Sequence, residues 1–98
     1  MLQYKVMEIS LAGMLVQTDQ ALVVESIVPM ELALLEGEVL SFKGRVTLCR
    51  EMSGKGRPRY EVGIEFLDLK GKGIEMLTSF VDYLAETKAA KADKHKLG

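Results

Sequence analysis

Two stretches of this chain alternate so regularly that they dictate a β-hairpin. In Val39–Arg50, Leu40, Phe42, Gly44, Val46 and Leu48 fall on one side, with Ser41, Lys43, Arg45, Thr47 and Cys49 on the other. In Tyr60–Asp68 the apolar set is Tyr60, Val62, Ile64 and Phe66, interleaved with Glu61, Gly63 and Glu65. Successive strand side chains point to opposite faces, so each run offers one face to a core. The polar, glycine-bearing segment between them, residues 52–59, is the connecting loop.

The rest of the chain fits around that hairpin. Leu2–Ile9 reads as a strand that ends at Ser10-Leu11-Ala12-Gly13, where Gly13 is expected to supply a positive φ. Met14–Gln17 resumes an extended pattern, and Ala21–Val24 is apolar but ambiguous. From Ser26 to Leu34 the even positions Val28, Met30, Leu32 and Leu34 are apolar, while Glu31 points the other way. Pro29 cannot donate to a ladder, which marks an edge or a bulge. After Asp68 the period changes from two to about 3.6. Ile74, Leu77, Phe80, Val81 and Leu84 then share one face of a helix that begins near Gly71–Gly73. The order is five or six strands followed by one helix, which suggests a small barrel or a strongly curled sheet. A single domain over residues 1–87 is expected, with residues 88–98 as a basic, flexible tail.

Charge and cysteine usage narrow the functional class. The formal net charge is −1, which makes no case for nucleic acid or a membrane surface. Residues 1–87 nevertheless carry nine basic and thirteen acidic side chains, while the tail holds four lysines against Asp93. No apolar run approaches the ~18 residues of a membrane span. The one cysteine, Cys49, has no partner for an internal disulfide, and no secretory leader is evident, so a reducing, cytoplasmic setting is expected. The one histidine is His95, in the tail, and Cys49 has no base beside it in the sequence. Neither an activated nucleophile nor a set of metal ligands is visible. The chain is expected to bind, not to catalyse, and no cofactor is expected.

Two short motifs connect this strand order with a known family. Glu8-Ile9-Ser10-Leu11-Ala12-Gly13 resembles the Asp/Asn-x-Ser-x-x-Gly signature of the PilZ domain, and it lies between the first two strands, as in that family. Tyr60-Glu61-Val62-Gly63-Ile64-Glu65-Phe66 resembles the family's late strand, an aromatic followed by Gly-[Val/Ile]-x-Phe. The resemblance covers roughly residues 4–85. It implies a mainly β fold, a small antiparallel six-stranded β-barrel with a C-terminal α-helix. It also implies a regulatory module of bacterial cyclic-di-GMP signalling.

In that family the nucleotide is held by an Arg-x-x-x-Arg segment ahead of the first strand and by the Asp/Asn-x-Ser-x-x-Gly turn. Arginine forks suit guanine edges and phosphates, and lysine does not replace them at a bidentate or stacked site. Within this chain seven residues precede Glu8; Lys5 is the one cation among them, and the Arg pair has no counterpart. Ser10 and Gly13 match the turn, and Glu8 stands one methylene longer than Asp. The candidate ligand-binding residues are therefore Glu8, Ser10 and Gly13, with Arg45, Arg57 and Arg59 as cations supplied from elsewhere. The bland alternatives are a self-satisfied turn, a solvated hairpin loop and exposed strand cations that discourage edge pairing. The expected partner is cyclic-di-GMP, together with a protein partner or a second copy. A ligand-blind adaptor acting through protein contacts is the alternative. Met76 and Tyr83, off the helical stripe, are the candidate exposed contacts.

Overall fold

The computed structural model describes the backbone of residues 3–97 and the side chains of residues 3–87. Five strands precede one helix: β1 (Tyr4–Ile9), β2 (Gly13–Thr18), β3 (Ile27–Ala33), β4 (Val39–Met52), β5 (Arg59–Leu67) and α1 (Lys72–Leu97). A short 3-10 turn, Leu35–Gly37, joins β3 to β4. The strands form one antiparallel sheet in the order β1-β2-β5-β4-β3. Pro29 lies on β3, an edge strand, where its missing N–H costs no ladder bond. The sheet curls enough for its two edges to meet, because the Tyr4 hydroxyl on β1 donates to the Glu31 carbonyl on β3.

The expected sixth strand is not present among the described residues. Ala21–Val24 is part of the loop between β2 and β3. Its Leu22 N–H donates to the Cys49 Sγ on β4 at 3.4 Å, but backbone pairing with β4 begins only at the end of the loop. The Glu25 N–H donates to the Val46 carbonyl at 2.7 Å, and the Val46 N–H donates to the Ser26 carbonyl at 2.9 Å. Glu25 then adopts a φ of 77°, which turns the chain away before a ladder can propagate.

Alternation places the core as expected over most of the sheet. Met14, Val16, Met30, Leu32, Leu40, Phe42, Val46, Val62 and Ile64 all point inward and are buried. Phe42 and Phe66 meet edge to face with ring centroids 5.0 Å apart. Two bulges interrupt the pattern. The β4–β5 register shifts between Val46 and Leu48, so Thr47 is an extra residue. A one-residue slip exchanges the two faces of a strand. Leu48 therefore points outward and is 40% exposed, whereas Cys49 turns in and packs against the core. This reverses the faces that simple alternation assigns to both residues. Arg50 is carried outward by the same slip. The second bulge, between Val6 and Glu8, leaves Met7 exposed.

The helix covers the inner side of the sheet with the middle of its stripe. Leu77 is buried, and Phe80 and Val81 pack against the core partly exposed. Ile74 departs from the expected stripe: it lies in the first turn of the helix and is 45% exposed. Tyr83 is exposed as expected, and Met76 is half-buried. The backbone stays helical to Leu97. The expectation of a flexible basic tail rests on side chains that lie outside the described residues. Among the described residues no helix is long and apolar enough to cross a membrane.

Candidate functional site

The turn between β1 and β2 opens onto a cavity of about 410 Å³ on the outer face of the sheet. Glu8, Ser10 and Gly13 line one side, with Leu15 of β2, Thr47 of the β4 bulge, and Gly63 and Glu65 of β5 around the rest. The same alternation that sends Met14, Val16, Val62 and Ile64 inward sends Leu15, Gly63 and Glu65 out into this cavity.

The turn is held by its own bonds. The Ser10 N–H donates to the Gly13 carbonyl at 2.8 Å. The Ser10 hydroxyl donates to that same carbonyl at 3.4 Å and accepts from the Ala12 N–H at 3.2 Å. The Ala12 carbonyl in turn accepts from the Phe66 N–H at 3.1 Å, pinning the turn to β5. Ser10 remains exposed while it braces the loop.

Gly13 is needed for a different reason from the expected one. Its φ is not positive. What excludes a side chain is the approach of β5: a Cβ at Gly13 would lie on the Ile64 carbonyl oxygen and within 3.2 Å of the Glu65 Cα. Backbone atoms on a paired strand do not step aside, so glycine here is a close-approach residue. Gly63 plays the matching part at the floor. A Cβ there would stand 2.7 Å from the Thr47 Oγ1, inside the space the bulged residue occupies.

Arg45 reaches the rim of the cavity through Glu65. Its Nε donates to Glu65 Oε1 at 2.7 Å and its Nη1 to Glu25 Oε2 at 2.7 Å. The Glu65 hydrogen bond, followed by that of Glu25, holds the guanidinium above even its ordinary basicity. Arg50 is paired with Glu61 further along the same face. Glu8 and Glu65 are hydrogen-bond acceptors, and Arg45 is a donor with two of its three nitrogens engaged. Such a set can receive the N–H edge of a purine base and an adjacent anionic oxygen.

Arg57 and Arg59 are not brought to this cavity. Arg57 is in the β4–β5 loop and Arg59 starts β5, both at the other end of the strands, beside Lys5, Gln17 and Asp19. The β2–β5 register places Gly13 opposite Glu65 and Thr18 opposite Tyr60. Five residues of strand separate the two ends, roughly 17 Å at 3.3 Å per residue. Glu65, Gly63 and Thr47 complete the cavity, and the alternation of β5 already pointed the first two outward. Alternation also put Thr47 on the polar face of β4, but its place as the extra residue beside Gly63 depends on the bulge.

A curled antiparallel sheet closed by one helix, with a polar turn cavity on its outer face, defines a small β-barrel-like binding module. The PilZ domain family model matches residues 2–83, and the chain belongs to that family. Among solved structures, the chain is similar to the PilZ domain of YcgR from Escherichia coli, a structure described as having c-di-GMP. The TM-score is 0.76 at 20% identity, over 95% of this chain and 79% of that one. At that identity the likeness speaks for the fold. No curated protein matches the chain significantly.

Proposed function

We propose that this PilZ domain is a cyclic-di-GMP-responsive regulatory module that acts by binding, and that the nucleotide is received in the cavity beside the Ser10–Gly13 turn. The carrying observation is that the family's turn motif opens, in this chain, onto an outer-face cavity with acceptors at Glu8 and Glu65 and a donor at Arg45. The related PilZ domain of YcgR, whose structure has c-di-GMP, supports the choice of ligand.

In this reading the Glu8 carboxylate accepts from the guanine N1–H and N2–H₂ groups. The Ser10 hydroxyl adds a polar contact at the rim, and Gly13 lets the ligand lie close to the backbone. Arg45 turns one edge of its fork toward a guanine edge or a phosphodiester oxygen while Glu65 holds its Nε. Arg57 and Arg59 stand too far along the strands to complete the same contact set. Ser10 is exposed, so its hydroxyl is open to a ligand while it also braces the turn, and the long 3.4 Å bond to the Gly13 carbonyl is the weaker of its two turn contacts.

Calorimetric titration of the full chain with cyclic-di-GMP, with cyclic-di-AMP as control, tests the reading. Saturable heat with the guanine dinucleotide, weakened about tenfold in Ser10→Ala, is expected, the worth of one good hydrogen bond. Heat that is unchanged in Ser10→Ala removes the turn from the site. No heat with wild-type chain removes the ligand.

A further inference from the structure

A further polar cavity, of about 560 Å³, lies at the opposite end of the outer face and is basic. Lys5 on β1 and Gln17 on β2 are register partners, and both point outward. Arg59, at the start of β5, points the same way. The β4–β5 loop then brings Lys55 and Arg57 to the same cavity. Pro58 sits between the two arginines and restricts the backbone that presents them.

Charge distinguishes this cluster from an ordinary solvated loop. Arg45 and Arg50, the other two arginines of the sheet, are both committed to glutamates. Among the described residues, Lys5, Lys55, Arg57 and Arg59 form no salt bridge. Asp19 is the one acid lining their cavity. Residues 1–87 carry more acids than bases, nine basic against thirteen acidic, so four unpaired cations in one cavity run against the background of the domain. Their mutual repulsion is relieved by a bound polyanion.

We infer that Lys5, Lys55, Arg57 and Arg59 form a second binding site, separate from the Ser10 cavity, for phosphate groups. Two guanidinium forks and two ammonium groups, with the Gln17 amide beside them, match the several oxygens of a diphosphate or a clustered phosphate ester. Nucleic acid is a poorer match. The one aromatic residue at the cavity is Tyr4, which is half-buried with its hydroxyl on the Glu31 carbonyl, so no ring stands free to stack a base. This inference does not rest on the nucleotide reading of the turn.

The test is an amide ¹H–¹⁵N titration of the full chain with inorganic pyrophosphate. It is run beside co-sedimentation with phosphatidylcholine vesicles, with and without phosphatidylglycerol. Saturable shifts confined to Lys5, Gln17–Asp19 and residues 55–59, weakened about tenfold or more in Arg57→Gln/Arg59→Gln and retained in Ser10→Ala, establish a site for soluble phosphates. Pelleting with the phosphatidylglycerol vesicles alone, lost in the same double variant and without pyrophosphate shifts, assigns the phosphate to a lipid headgroup. Both substitutions lie on exposed positions, and an otherwise unchanged amide spectrum verifies the fold. Neither form of binding, binding insensitive to the double variant, or shifts spread equally over Lys43, Lys70 and Lys72 overturns the inference.

Discussion

The two ends of the outer face are built from the same strands and differ in almost every physical respect. At the β1–β2 end the backbone is crowded: Gly13 lies under the Ile64 carbonyl, and Gly63 lies under Thr47. The cation there, Arg45, is held by two glutamates. At the β4–β5 loop end the glycines have room. Nothing approaches within 4 Å of where a Cβ would stand on Gly54 or Gly56, and four cations have no ion-pair partner among the described residues. One end is a shaped, acceptor-rich cavity on rigid strands, and the other is a cationic surface on a loop. The contrast teaches that arginines seen together in a sequence scan do not form one site. Arg45 is tied through Glu65 to the side of the sheet that carries Ser10 and Gly13, whereas Arg57 and Arg59 line a cavity with Lys5.

The sharpest way to break the comparison is through its glycines. Gly13→Ala forces a methyl group against a paired backbone and is expected to cost about 1–3 kcal/mol in urea denaturation. Gly54→Ala, in the open loop, is expected to stay within about 0.5 kcal/mol of wild type. Equal effects would mean that the crowding at the turn is not real. Next in size is the division of labour between arginines. Arg45→Gln is expected to weaken cyclic-di-GMP binding about tenfold, and Arg57→Gln/Arg59→Gln to leave it unchanged. A reversal of those two results would unite the ends into one site.

A smaller effect concerns how the two sheet edges are joined. Tyr4→Phe removes the hydrogen bond to the Glu31 carbonyl and is expected to cost about 1 kcal/mol. Burial, and then the nearby Glu31 carboxylate, hold the Tyr4 phenol above the usual tyrosine range. A raised folded value means that the folded state keeps its proton longer than the unfolded chain. That contribution is complete below pH ~10 and is lost as the pH rises through the folded value. The alkaline fall in stability should therefore be shallower in Tyr4→Phe than in wild type. Parallel curves from pH-dependent denaturation would place the titration elsewhere.

Much of the fold was legible because period-two alternation is a strong signal in β3, the first half of β4, and β5. Pro29 marked its edge strand for a local reason, a missing donor. The failures share one cause, which is that a single extra residue leaves no trace in an apolar pattern. The bulge at Thr47 reverses Leu48 and Cys49, and nothing in the residue types announces it. Ala21–Val24 was apolar but ambiguous, and the turn at Glu25 stops the β3–β4 ladder before it reaches this segment. In the candidate site, Glu8, Ser10 and Gly13 were readable as a motif, and Glu65 was readable from its strand face. The reason for Gly13 was not, because it depends on how closely β5 approaches. The distance between Ser10 and Arg57 likewise depends on register, which no local spacing encodes.

The central claim is that the nucleotide sits at the Ser10 turn and not at the basic loop. The measurement that addresses it most directly is a map of amide shifts in the full chain during a cyclic-di-GMP titration. The account predicts saturable shifts at Glu8–Leu15, Arg45–Thr47 and Gly63–Glu65, with Lys55–Arg59 unmoved. Shifts centred on Lys55–Arg59, or none at saturating ligand, would contradict it.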